Sequence, residues 1–242
     1  MRKTKVSLVR IHEQNTYAAL KNAIELIGGM EPTIPSGSKI LIKPNLVMCP
    51  TERGITNPVV LEAVLKLAST TSPKQIVIGE GSADSYTWTS FRLLNIYDMA
   101  SRYGAEVRDL NVDEGVRVKM PDAVGRDHVM LPRTVAEADI VISVPTFKLW
   151  MGDLPMSLSL KNLFGCYGAR YYGHNKTSHE LAKTDPRRTL QGEVGIERGI
   201  HHPSVEQSIA AMNLARPSDL TVIDAIEGSD GKGNYVRMDM LM

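Results

Sequence analysis

Short apolar runs rich in Val and Ile recur along the chain, and between them lie longer stretches in which apolar positions return every three or four residues. A brief β-branched run reads as a buried strand, and a period near 3.6 reads as an amphipathic helix. Their alternation predicts βαβ units. Strands are expected near 5–10, 39–46, 75–80, 106–110, 139–145 and 220–226, with helices near 16–28, 58–70, 90–103, 156–164 and 204–215. Asn57 followed by Pro58 has the form of an N-cap and first helical residue, while Gly28-Gly29, Gly104 and Gly165 read as helix stops. "HVMLPRTVAEADI" adds a short strand before a turn of helix. The expected fold is α/β, a mainly parallel open sheet flanked by helices, in a single domain spanning 1–242.

Two stretches depart from this pattern. Residues 169–203 lack a sustained apolar period and hold four of the six histidines, so a long polar loop excursion is expected there. From Val236 the chain alternates apolar and polar and stops without a turn signal, so the domain is expected to be truncated at its C-terminus.

Charge and cysteine content narrow the class. Lys plus Arg (28) and Asp plus Glu (27) nearly cancel, which leaves no broad basic field to hold a nucleic-acid backbone. No apolar run approaches the roughly 18 residues that a membrane span needs, and a cytoplasmic location is expected. Cys49 and Cys166 are the whole cysteine complement. They cannot form a disulfide framework, and no metal or iron–sulfur cluster is expected to be ligated by this chain alone. The composition identifies no cofactor.

The informative residues are polar groups at strand ends, where ligands bind in open α/β sheets. Lys43 and Asn45 end "KILIKPN", Glu80 ends "QIVIGEGS", Lys148 follows "DIVISVPTF", and Asp224 and Glu227 end "LTVIDAIEGSDG". Pro44 lacks a ladder N–H, which makes Lys43 the last regular strand residue. Arg53 and Thr56 lie on the approach to the helix opening at Asn57-Pro58, whose N-terminus suits an anion. The same charges could instead pair with one another and tie loops together, and Asp224 could accept hydrogen bonds from its own turn. In "PMSLSLKNLFG" a helix would put Ser157 and Lys161 on one face with Asn162 beside them; a surface lysine on a core helix is the plainer alternative. His179-Glu180 lacks the second ligand of a zinc helix because residue 183 is Lys. His174, Lys176 and His179 are therefore candidates for anion contact or proton transfer, or else parts of a mobile polar loop. Dinucleotide, P-loop and serine-hydrolase motifs are incomplete or absent.

The succession "ILIKPNLV", "TNPVVLEAVLKLA", "VIGEGS", "ADIVISVPTFK", "SLSLKNLFG", a His/Lys loop and "LTVIDAIEGSDG" resembles the domain-of-unknown-function family 362 over most of the chain. The resemblance implies that Lys43, Asn45, Glu80, Lys148, Lys161, Asn162 and Asp224 occupy recurrent polar positions of the family. Some members are joined to ferredoxin-like iron–sulfur modules, which implies redox chemistry in those proteins. The cluster cysteines are missing here, so that role would require a partner iron–sulfur protein or a further segment. The family usually continues past the point where this chain stops. Members often carry Lys-Thr-His where this chain has "FKLWMG", and no role for that histidine carries over to Leu149 or Trp150.

The reading is an enzyme or ligand-binding protein acting on a small anionic carboxylate or phosphate, with the reaction class open. Lys161, Glu80 and Asp224 are the catalytic candidates, and Lys43, Asn45, Thr56, Lys148, Asn162, His174, Lys176 and His179 the binding candidates. The expected partner is a small anionic molecule, with neither nucleic acid nor membrane. An electron-transfer scaffold dependent on an iron–sulfur partner and a purely structural module are the alternatives.

Overall fold

A computed structural model describes residues 4–47, 53–83, 86–121, 125–149, 156–173, 200, 204–231 and 235–237. In chain order the elements are α1 (Thr16–Ile27), β1 (Lys39–Pro44), α2 (Pro58–Ser69), β2 (Gln75–Glu80), α3 (Thr87–Leu93), α4 (Ile96–Arg102), β3 (Glu106–Asp109), β4 (Gly115–Lys119), β5 (His128–Pro132), α5 (Arg133–Ala136), β6 (Ile140–Val144), β7 (Thr146–Leu149), β8 (Met156–Ser157), α6 (Ser159–Asn162), a 3-10 turn (Leu163–Cys166), α7 (Ala169–Tyr172), α8 (Val205–Ala215), β9 (Leu220–Thr221), β10 (Asp224–Asp230) and β11 (Tyr235–Arg237).

Five strands form a wholly parallel sheet in the order β3-β2-β1-β6-β9. Because side chains alternate along a strand, Ile40, Ile42, Ile76, Ile78, Ile140 and Ile142 pack into one core, together with residues of α1, α2 and α4. Leu41, Val77 and Val141 pack into the other, against Leu163, Tyr167 and Met212. Both faces of the sheet are thus covered, as its uninterrupted Val/Ile runs require. The fold class is α/β.

Beyond the carboxyl ends of these strands lies a second sheet, ordered β11-β10-β7-β8. Two chain segments pass from one sheet to the other. β6 gives way to β7 across Pro145 alone, and β9 gives way to β10 where the Asp224 N–H donates to the Pro145 carbonyl at 2.8 Å. β7 and β10 then run parallel, with Thr146 opposite Asp224. The rim of the main sheet is therefore extended by a small, firmly joined one.

Several elements differ from expectation. Residues 5–10 form no strand, and Val6 and Leu8 are almost fully exposed, because no sheet edge meets this alternating segment. The single helix expected over 90–103 is two, α3 and α4, broken at Asn95, whose φ of 52° is left-handed. The strand expected over 220–226 stops at Thr221 and resumes at Asp224 in the second sheet. In place of a helix over 156–164 the chain makes β8, one turn of helix and the 3-10 turn. Of the expected loop, Ala169–Tyr172 are helical. Tyr172 is buried with its ring edge-on to Tyr167 at 4.8 Å, and its hydroxyl accepts from the Met130 N–H. Elsewhere expectation holds closely: Asn57 caps α2 by accepting from the Val59 N–H, with Pro58 at the first helical position.

Candidate functional site

Lys43 continues the alternation of Leu41 toward the second core, where an unpaired ammonium would be costly. Its Nζ lies 2.7 Å from Glu80 Oε1 and donates to the Pro44 carbonyl at 2.7 Å. Glu80 is held from the backbone side as well: Oε2 accepts from the Leu46 N–H and Oε1 from the Gly81 N–H. Both side chains are at most 3% exposed. Space for the pair comes from Gly165, where a Cβ would stand 2.6 Å from both Cε and Nζ of Lys43. The glycine expected as a helix stop is thus a packing requirement of the ion pair.

Next to this pair opens a cleft of about 210 Å³. Lys43, Asn45, Glu80, Lys148, Lys161 and Asn162 all line it, so six of the expected polar residues meet in one place. β1 and β2 supply Lys43 and Glu80, β7 supplies Lys148, and the turn of α6 supplies Lys161 and Asn162. The Asn162 amide spans the junction by donating to the Lys43 carbonyl at 2.9 Å and to Ser143 Oγ at 3.0 Å. Asn45 donates to the Gly54 carbonyl at 2.9 Å.

Lys148 is the least compensated of these groups. It is 7% exposed, its Nζ donates to the Gly54 carbonyl at 2.8 Å, and it forms no ion pair with any described residue. Burial pushes the ammonium down to about 8, assisted by the positive charges of Lys161 and Lys43 and opposed by Glu80. Lys161 is also lowered, by burial. Two amines whose charged forms are disfavoured therefore face one small space.

Two expected residues lie off the cleft. Thr56 is buried and its hydroxyl is engaged on both sides, donating to the Val144 carbonyl at 2.6 Å and accepting from the Asn45 N–H at 2.7 Å. It clasps the loop after β1 onto β6. Asp224 is 3% exposed and accepts from the N–H groups of Asn57 and Ile226, at 2.7 and 3.0 Å. The anion at the start of α2 is thus this carboxylate of the chain itself. Burial raises Asp224 despite the two donors. His174, Lys176 and His179 lie outside the described residues. Ser157 and Lys161 both line the cleft, but from β8 and α6 and not from one helix face. Residues not singled out beforehand also line it, among them Thr146 and Phe164. Pro145, which ends β6 just as Pro44 ends β1, was the available signal for Thr146.

Among the described residues, no group of three or more His, Cys, Asp or Glu side chains is placed to hold a metal ion, and no helix is long and apolar enough to cross a membrane. A curated relative, a thylakoid-associated protein of Synechocystis sp., is 28% identical over 239 residues. The match takes in 94% of this chain, and the chain spans 65% of that relative's length. Among solved structures, the lactate racemase apoprotein from Thermoanaerobacterium thermosaccharolyticum aligns with a TM-score of 0.49 and 13% identity, covering 86% of this chain and 48% of that one. A likeness of that size fixes no activity. Residues 40–241 match the family described as Domain of unknown function (DUF362), and with that match over most of its length the chain belongs to this family.

Proposed function

We propose that the cleft binds a small anion, a carboxylate or a phosphate, and acts on it chemically. The observation that carries this reading is Lys148, a nearly buried amine with one hydrogen bond and no described counterion, set beside Lys161 in a cleft where Glu80 is already engaged by Lys43. An incoming anion would supply the missing counter-charge and exchange its water for two amines, between walls braced by the Asn45 and Asn162 amides. The Lys43–Glu80 pair would hold the floor of the site.

Calorimetry with phosphate, malonate and 2-hydroxybutyrate tests this reading on the protein and on Lys148→Met and Lys161→Met. Binding of at least one anion, weakened about tenfold or more in each variant, is expected for loss of one charge-assisted contact. Binding should also take up a fraction of a proton near pH 8, because an anion beside Lys148 moves its value part of the way back up. If none of the three anions binds, or if both variants bind as the parent does, the proposal falls.

A further inference from the structure

The amines of the cleft are not equivalent, and their differences suggest a reaction. Lys43 is 1% exposed and has its Nζ between Glu80 and the Pro44 carbonyl, so its charge is already committed within the chain. Lys161, on the one-turn helix α6, is half-buried and lines the open side. Lys148 lies between these extremes. Its Nζ is held at 2.8 Å by a neutral acceptor, the Gly54 carbonyl, and forms no ion pair with a described carboxylate; Glu80 lines the same cleft but is engaged by Lys43. An ammonium there leaves two N–H groups without a described acceptor, whereas a neutral amine leaves one N–H and a lone pair. A buried site penalises the charged form most. A neutral amine beside a second, cationic amine is an arrangement that activates lysine toward carbonyl carbon.

We infer that Lys148 is a nucleophile that forms an imine with the carbonyl carbon of a small 2-oxo acid whose carboxylate is held by Lys161. This rests on the anion reading above and narrows its substrate class. In the step, the Lys148 Nζ lone pair forms the C–N bond while the carbonyl π pair moves to oxygen, which takes a proton from the Lys161 ammonium. Nζ then gives up a proton to the Lys161 amine, giving a neutral carbinolamine. Loss of its hydroxyl as water, with a proton from Lys161 and return of the second Nζ hydrogen to the Lys161 amine, yields the imine. Overall, amine plus ketone gives imine plus water, without oxidant or reductant. Asn162, fixed on the Lys43 carbonyl and Ser143, borders the same space and keeps one wall of it rigid.

The test is reductive trapping. The protein is incubated at pH 8 with 2-oxobutyrate and cyanoborohydride, digested and mapped by mass spectrometry. The peptide holding Lys148 should gain the mass of 2-oxobutyric acid less one oxygen. It should do so about a hundredfold faster than an ordinary lysine amine, in proportion to the neutral fraction at a value of about 8 against that at 10.5. 2-Hydroxybutyrate, which has the same carboxylate and no carbonyl, should give no adduct and should suppress the labelling. Lys148→Arg should abolish it, and because the label is mapped in the unaltered protein the result does not depend on that variant folding. No adduct, or adducts on exposed lysines with Lys148 unmodified, overturns the inference. Binding of any of the three anions without trapping of 2-oxobutyrate would overturn it and leave the anion reading standing; no binding of any of them together with no trapping would remove both.

Discussion

Glu80→Gln isolates what the buried ion pair does, because it removes one charge and almost nothing of the shape. At the 2.7 Å separation of Lys43 Nζ and Glu80 Oε1, and with an effective dielectric constant of about 20, the attraction lost is roughly 6 kcal/mol. Part of it is offset because one fewer charge has to be desolvated. The remaining ammonium, however, stays buried, and the new amide must turn an NH2 toward the Leu46 or Gly81 N–H or toward Lys43 itself. Removing one partner of such a pair typically costs about 3–5 kcal/mol, a large share of a total stability of about 5–15 kcal/mol. Equilibrium unfolding in urea, followed by circular dichroism, should show the midpoint falling accordingly with little change in slope. Lys43→Met in the Glu80→Gln background should recover about half of the loss, since the unpaired charge is then gone. A loss below about 1 kcal/mol for Glu80→Gln, or no recovery in the double variant, would refute the view that the pair is a mutually neutralised structural unit.

Gly165→Ala puts a methyl group 2.6 Å from Lys43 Cε and Nζ, and should cost about 1–3 kcal/mol in urea unfolding as an overpacked site; unchanged stability would mean that the 3-10 turn yields freely. Lys148 has a folded-state value of about 8 against 10.5 in the unfolded chain, so the native state binds fewer protons between those values and its stability rises with pH there. Relative to Lys148→Met, the parent protein should therefore gain about 2 kcal/mol between pH 7 and pH 9.5, and a flat difference would contradict the lowered value. Asp224→Asn weakens the carboxylate acceptor of the Asn57 and Ile226 N–H groups and should lower stability by about 1–2 kcal/mol while leaving anion affinity within about twofold, because Asp224 stands off the cleft; a large loss of affinity in calorimetry would return it to the site.

Much of the fold and half of the site could be read from residue order. The Val/Ile runs marked β1, β2 and β6 because a sheet covered on both faces needs apolar residues at every position, and Asn57-Pro58 marked α2 by local chemistry that tertiary contacts did not override. Lys43, Glu80 and Lys148 were legible because a charge at the end of such a run conflicts with its surroundings. Their division of labour was not. Whether Glu80 serves Lys43 or Lys148 depends on the pairing of β1 with β2, and the difference between Asp224 and Glu80 depends on which side of the rim each strand reaches. Thr56 looked like an anion contact because the hydroxyl's partners, the Val144 carbonyl and the Asn45 N–H, come from segments distant in the chain or across a turn. The break at Asn95 has no periodic signature, since both halves keep the helical pattern and only the backbone of Leu94 and Asn95 departs from it.

The two crossings from the main sheet to the small one have a kinetic consequence. The cleft's defining contacts join residues far apart in the chain: Lys148 to Gly54 across 94 positions and Asn162 to Lys43 across 119. Contacts of such separation close late, after the loop entropy of the intervening units has been overcome. The β1-α2-β2 unit carries Lys43, Asn45 and Glu80 but neither Lys148 nor Lys161, so an early collapsed state lacks both amines that would hold a ligand. Ligand affinity should therefore emerge only in the slowest phase of refolding, behind the recovery of helical signal, and a ligand can accelerate none of the earlier steps.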